Sequence, residues 1–563
     1  MLVPNHPSPG VYSLENDRSN QQTLVTNGYC CLVLPFPKGE VGVNTTVTSV
    51  DEIDLKFGPA TSSSPYARNV QYAKLLMRKA TRLNITRVGL NVKYAGVYLT
   101  TYNNFTTCRP LGDAGLTDPE QIAFTDRDIC LLYSVSGYSG ANDIYITVEP
   151  DVNDVLGIKA IIKVYLTGSL TPVEKHTVTT KYYKDGSGNQ FYIEDVINNA
   201  SSYIRVKLNT ANYKLVDDPD FVVLNAIAGG PLDVLNPTAI NGQFTGGSDG
   251  NTIDIDHSDA LIANASLSAV LTAWDNYADW EDIQAGILCS GGLEHPVVAN
   301  KLDTLAASRQ DSIAVHGIPV LLQQRDNAVA YRRGNKAYMG TEFSITGSWS
   351  CLSNSDALYR DTDNSRDIYV PASICMAYCM LNTDQIAQWL APGGLNRGQL
   401  DWATDVRYRF KQNDRDVLAE NQINPIAVFE GEGIYMWGAD TTMTTKSPLN
   451  DIGVRRLLAM LHASVRANNL RAVFEPNDDV LKQNQKAGME SILEPIKTGR
   501  GLDWYAVVCD YTNNTAEDEA RGDLIIDVFL DPTRYTKRIH VTAIVPPVGD
   551  IQYALDLISK GSL

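Results

Sequence analysis

Pro7-Ser-Pro-Gly-Val-Tyr12, with Glu15 close behind, constrains this chain more than any other stretch. Proline fixes its own φ and biases the residue before it toward extended geometry, so His6 and Ser8 are expected to be extended. Gly10 then releases the backbone into Val11-Tyr12-Ser13-Leu14, a short segment able to pair as a strand. A lone strand is not stable in water and needs a sheet to join. Such a segment either frays, as most chain ends do, or adds a strand to the sheet of another subunit.

The 563 residues leave room for about three or four domains at ~150 residues each. With 44% hydrophobic residues the chain can bury several cores, which argues against disorder. No apolar run approaches the ~20 residues of a membrane span, and no basic-then-apolar start suggests a secretory signal. Nine scattered cysteines, an odd number, fit reduced and mostly buried thiols. These features predict a soluble protein folded in a reducing cytoplasm. A net charge of −18, with no compensating basic block, works against nucleic acid and anionic membranes as partners.

The pattern along the chain predicts mixed α and β structure. Residues 28 to 36 read as a buried strand, and Tyr66 to Leu83 as a helix whose positions Val70, Ala73, Leu76, Met77 and Ala80 share a face. From about 95 to 225 short alternating runs dominate: Ile144–Val148, Ile158–Leu166, His176–Tyr183 and Tyr203–Leu208, with a turn at Asp185-Gly-Ser-Gly188. Between about 255 and 330, helical stretches alternate with Ile283–Leu288 and Ile313–Leu322, an α/β pattern. After 420 come a long helix from about Leu449 to Asn469 and another around Gln483–Thr498. The strands Trp504–Cys509, Leu524–Leu530 and Arg538–Val545 follow. Ser447-Pro448 reads as the cap and first position of the long helix, with Val454, Leu457, Leu458, Leu461 and Val465 as its apolar stripe.

No catalytic constellation stands out. The Gly246-Gly-Ser-Asp-Gly250 stretch lacks the lysine of a phosphate loop, and tight turns at sheet edges explain it. Cys375 and Cys379 lie one helical turn apart with no second pair to complete a zinc site, so two core thiols are expected. His316 and Ser373 with an Asp would make a triad only if Ser373 sat on an exposed sharp turn, and Val370-Pro-Ala-Ser373 offers none. Neither catalytic, cofactor nor metal residues are assigned.

A series of motifs nevertheless runs in order along the chain. It begins with Pro9-Gly-Val-Tyr12 and Glu15, then Phe57-Gly-Pro59, then Gly137-x-x-Gly140-x-Asn142-Asp143 before the strand Ile144–Val148. It continues through Glu194–Asn198 with Ser201-Ser-Tyr203, Gly246–Gly250, Val370-Pro-Ala-Ser373 and Trp389-Leu-Ala-Pro-Gly393. Ile423-Asn-Pro425, Trp437-Gly-Ala439, Arg455-Arg456, Phe474-Glu-Pro-Asn477 and Pro532 complete it. In this order the series resembles the contractile-tail sheath proteins of bacteriophages. Gly394 and Ala439-Asp440 depart from the pattern, where many relatives carry Ala and Ala-Arg, and the block from 95 to 225 is divergent.

The resemblance implies an α+β/α/β multidomain fold: α/β core sheath domains with a β-rich inserted domain and extended terminal arms. The expected divisions are an arm at 1–22, the first part of the core at 23–94 and the inserted outer domain at 95–225. A central α/β domain of subtilisin-like layout without its chemistry follows at 226–420, then a C-terminal domain at 421–545 and an arm at 546–563. Val11, Tyr12, Ser13 and Leu14 are the expected inter-subunit arm, with Ile525, Val528, Ile539 and Val541 on the recipient strands. Arg455, His462 and Arg466 form a basic row expected to meet an acidic inner tube. The implied role is a non-enzymatic sheath subunit that polymerises as a six-fold helical assembly and contracts to drive the tube through the host envelope for genome delivery. Its implied partners are further copies, the tail tube, the baseplate and the tail terminator, with no cofactor, nucleic acid or inserted membrane. Its place is the virion, after assembly in the host cytoplasm. A sheath of a type VI secretion or tailocin injection machine is the alternative, and a cytoplasmic α/β enzyme a more distant one.

Overall fold

The computed structural model describes residues 28–61, 64–102, 105–112, 114–118, 121–210, 224 and 242–537. Its centre is an eight-stranded sheet. In space the order is Gly433–Met436, Ile423–Phe429, Ser350–Asn354, Ile313–Gly317, Ile287–Cys289, Tyr29–Leu34, Arg82–Arg87 and Asn44–Val47. The six inner strands are parallel, and each edge carries one antiparallel strand. Parallel strands require crossovers, which here cover both faces and make the inner strands apolar throughout. Cys30, Leu32 and Leu34 pack on one side with Ile287, Ile313 and the helix Ala372–Asp384. Cys31 and Val33 point the other way, to Leu288, Trp274 and Leu302 on the helices Ala260–Asp275 and Pro296–Arg309. Cys375 and Cys379 are both buried in the first of these layers, as expected of core thiols.

The expected helix from Tyr66 to Leu83 is shorter: it spans Ala67–Met77, and Leu83 belongs to the strand Arg82–Arg87, opposite Cys30. The apolar spacing that marks the helix runs on by coincidence into a strand whose β-branched Ile85 and Thr86 suit a parallel sheet. The strand expected over Ile313–Leu322 ends at Gly317, where a 3₁₀ turn at Val320–Leu322 takes over.

The β-rich block is built from two antiparallel sheets. One orders Ile204–Leu208, Asp128–Ser134, Gly96–Tyr102 and Phe105–Pro110, and the other Ile144–Pro150, Ala160–Leu166 and Glu174–Val178. They enclose their own core of Val97, Leu99, Leu132, Ile146, Ile162, Ile197 and neighbours. Its far end lies beyond the expected boundary at 225, because Phe244 is in this core and the returning chain pairs with the outgoing one at Lys93–Ser248 and Gly96–Thr245. The Gly246–Gly250 stretch is therefore part of this junction rather than a free turn. A Cβ at Gly246 would collide with the backbone of Gly112 and Gly115, and Gly250 adopts φ 71° against Leu90. Arg87 fastens the block to the body: fully buried, it donates to the carbonyls of Phe36 (2.9 Å), Gly39 (2.7 Å) and Gly137 (2.8 Å).

The strands Ile423–Phe429 and Gly433–Met436 belong to the central sheet, so the boundary expected at 421 falls inside it. The C-terminal unit comprises the helices Ile452–Asn469, Asp479–Thr498 and Ala516–Arg521 and the two-stranded sheet Leu502–Val508 with Asp527–Pro532. Ser447 caps a 3₁₀ turn over Pro448–Asn450, and the long helix begins four residues later than the cap signal suggests, at Ile452. Arg456 and Asp384, both nearly fully buried and 2.5 Å apart, pin this helix to the body. Trp389 adds a second tie: its indole donates to the Gly499 carbonyl at 3.0 Å, and its own carbonyl accepts from the Tyr535 hydroxyl. No helix among the described residues is long and apolar enough to cross a membrane.

Candidate assembly interface

A two-stranded sheet is marginal alone and survives only by packing against something else. Here the sheet lays one face, Tyr505, Val507, Val528 and Leu530, on a core of Leu457, Leu461, Ile492, Leu493 and Ile496 from the two long helices. Its other face carries Trp504 and Phe529, both more than half exposed, in register with Asp531 and Ala506. Among the described residues each of these two strands pairs only with the other. Among these residues both long edges therefore lack a strand partner, and an edge of that kind is a template onto which another chain can add.

The predicted recipient residues divide. Val528 lies on the edge strand, opposite Val507. Ile525 precedes that strand, and its backbone is already engaged: its N–H donates to Asn514 Oδ1 at 2.7 Å, and its carbonyl accepts from Asn513 and Asn514 at 3.2 and 2.9 Å. Ile525 is therefore corrected from a recipient to part of a local loop clamp. Ile539 and Val541, with the arm residues Val11, Tyr12, Ser13 and Leu14, lie outside the described residues.

The basic row on the long helix is not a solvated stripe. Arg455 is 5% exposed, its guanidinium stacks 3.6 Å from the Trp349 ring centre, and burial lowers its pKa to about 10. Arg466 donates to the Arg309 carbonyl and lies 5.1 Å from the Trp280 ring. His462 alone of the three is exposed; desolvation, then the charges of Arg455 and Arg466, hold it below its ordinary pKa and hence neutral at pH 7. The expectation that all three form a cationic row facing a partner is corrected, because tryptophans distant in sequence claim two of them.

The residues considered for catalysis fall into separate hydrogen-bonded groups. Ser373 donates to Glu294 at 2.5 Å, and Glu294 also accepts from Ser290 and from the Gly317 amide, both at 2.7 Å. Burial raises the Glu294 carboxyl, against the pull of these three bonds. His316 instead lies 3.3 Å from Ser350, which donates to Asp303, and burial lowers its pKa to about 3. The Glu294 group ties together the carboxyl ends of the strands Ile287–Cys289 and Ile313–Gly317, whereas Ser350 opens the strand Ser350–Asn354. Among the described residues no group of three or more His, Cys, Asp or Glu side chains is arranged to hold a metal.

Neither the Arg456–Asp384 pair nor the Trp389 tie was legible as such; the only sequence signal was that Trp389 and Arg455-Arg456 stood among the ordered motifs.

No family model matches the chain. It is 28% identical over 309 residues to the tail sheath protein of Enterobacteria phage T4, covering 52% of this chain and 47% of that protein. Against the tail sheath protein of Vibrio phage KVP40 the identity is 24% over 311 residues, covering 52% and 44%. The chain thus spans about half the length of the curated relatives it matches. Two solved structures share its fold over nearly the whole chain. The sheath tail protein of Listeria innocua superposes with a TM-score of 0.52 at 10% identity, covering 91% of this chain and 97% of that one. The helical sheath of the anti-feeding prophage in its contracted state gives 0.50 at 13% identity, covering 96% and 99%. In the order of its motifs, in sequence and in fold, this chain is similar to the contractile tail sheath proteins.

Proposed function

We propose that the chain is the structural, non-enzymatic subunit of a contractile phage tail sheath, polymerising as stacked six-fold rings around a tail tube within the virion. The observation that carries this reading is the two-stranded sheet that pairs with no third strand among the described residues, and which an arm from a neighbour would extend. A strand of Val11 to Leu14 adds about four hydrogen bonds, each worth ~1 kcal/mol net, so one arm is modest and a lattice of them cohesive. Contacts of this kind, made head to tail, generate a helix when they do not close. The second edge is assigned to the segment holding Ile539 and Val541. Flexible linkers would let subunits rotate during contraction while the strand pairings persist, as the lattice passes from an extended to a better-packed state.

The inserted block is assigned to the outside of the sheath, because it has a complete core and a narrow attachment. The tube is assigned to the exposed side of the Ile452–Asn469 helix around His462, and the sheath ends to baseplate and terminator proteins. The same architecture would serve a phage-tail-like injection machine. Negative-stain microscopy of the purified full chain tests the proposal: tubes or stacked rings are expected, and a field of discrete particles under all assembly conditions would overturn it.

A further inference from the structure

The junction between the inserted block and the body holds a cleft of about 550 Å³ that the assembly reading leaves unused. Its lining includes Tyr66, Tyr138 and Tyr203 together with Pro37, Pro59 and Pro65. Aromatic and proline surfaces placed side by side are the chemistry that receives a polyproline helix, whose own rings stack flat and whose carbonyls, lacking internal bonds, seek donors. The donors are present: the hydroxyls of Tyr138 and Tyr203 have no hydrogen-bond partner among the described residues. The walls are fixed. Tyr66 is held by the Ile253 amide at 3.0 Å, Lys38 donates to the Leu55 carbonyl at 3.1 Å, and Ser139 binds Asp249 through both its amide and hydroxyl, at 3.2 and 2.8 Å.

We propose that this cleft seats the chain's own Pro4-Asn-His-Pro7-Ser-Pro9 stretch in the free subunit. Pro4 and Pro7 are three residues apart, one turn of a polyproline helix, so both rings fall on one side. Pro546-Pro547, the other proline-rich stretch outside the described residues, lacks that spacing. The first fourteen residues carry no acidic side chain, which suits a rim that already bears Asp54 and Asp249 in a chain of net charge −18. Reach favours the same copy. The cleft adjoins Pro37, three residues past the strand Tyr29–Leu34 and at most about 30 Å from Gly28, whereas residues 10 to 27 extend to about 60 Å. A tethered segment also competes at an effective concentration on the order of millimolar.

The experiment places a photo-crosslinking amino acid at Ser8 in the full chain, held monomeric, and maps the products by mass spectrometry. Intrachain links to residues 54–66, 138–139 or 203 are expected, with a yield unchanged over a tenfold dilution. Pro4→Ala and Pro7→Ala together should lower that yield at least fivefold, and so should Tyr203→Ala. Tyr138→Phe with Tyr203→Phe, which keeps the rings and removes only the hydroxyls, should lower it about twofold to threefold should the alanine variant fail to fold. Links that map to the C-terminal two-stranded sheet, that are intermolecular, or that ignore the proline substitutions would overturn the proposal. The readout needs no polymer, so failure to form tubes would count against the sheath reading and leave this one standing.

Discussion

The inserted block and the C-terminal unit both rest on antiparallel sheets, and they cover the faces of those sheets differently. In the block, four strands and three strands face one another across a shared core, and the chain enters and leaves at one paired junction. In the C-terminal unit, two strands lean on two helices, and among the described residues neither pairs with a third strand. The first packs sheet against sheet around a core of its own; the second is a single ribbon resting on helices.

The largest effect should come from depriving the open sheet of its partner. Removing residues 1 to 20 is expected to abolish polymer in sedimentation while leaving the circular dichroism and melting of the monomer nearly unchanged. Tyr12→Pro, which deletes one backbone donor, should weaken assembly in the same direction. Normal tubes from the truncated chain would break the comparison, because the C-terminal unit would then need no strand from elsewhere.

Next in size is the tie between the C-terminal unit and the body. Arg456→Ala leaves Asp384 buried without its partner and should cost about 3 kcal/mol in monomer unfolding. Burial already holds Asp384 above the ordinary carboxylate range against the pull of Arg456. A carboxyl raised in the folded state loses stability as pH climbs from its unfolded value near ~4, so the deficit of the variant should shrink on acidification.

A smaller effect of opposite slope is expected inside the inserted block. Burial pushes Asp128 up, but Arg109 and the amide and hydroxyl of Thr125 together hold it below its ordinary value. That stability is present above the unfolded pKa near ~4 and disappears as pH falls through the lower folded one. Asp128→Asn should cost about 2 kcal/mol near neutrality and flatten the acid limb of the block's melting curve. An unchanged acid limb would show that the block does not depend on the pairing of Arg109 with Asp128.

The smallest effect on assembly should follow excision of the block itself. Lys93 and Ser248 exchange backbone bonds at 3.0 Å in both directions, so a short Gly/Ser joint between them spans no gap. Tubes of the excised chain are expected under the electron microscope. A well-folded excision variant that cannot polymerise would mean the block is part of the lattice.

Much of the local structure was legible from the residues. Ile204–Leu208 alternates cleanly and buries one face against a core near in sequence, and Ile144–Val148 lies in the strand Ile144–Pro150, which also buries Tyr145 on its other side. The stripe Val454, Leu457 and Leu461 does face inward. Position in the architecture was harder to see. Ile423-Asn-Pro425 looks like the start of a new domain along the chain, yet it lies beside Leu352 to Asn354 as a parallel strand of the central sheet.

The sequence by itself determined the alternation of helix and strand and the ordered motifs that mark the sheath resemblance. Those follow from periodicity and from short-range backbone preferences, which act between near neighbours. Only the tertiary structure decided that Arg455 and Arg466 lie against Trp349 and Trp280, that Ile525 is clamped by its own loop, and that among the described residues the strands of the last sheet pair only with each other. Each is set by which distant surface arrives within a few ångströms, and an arginine on a helix reads the same in sequence whether water or a tryptophan lies above it.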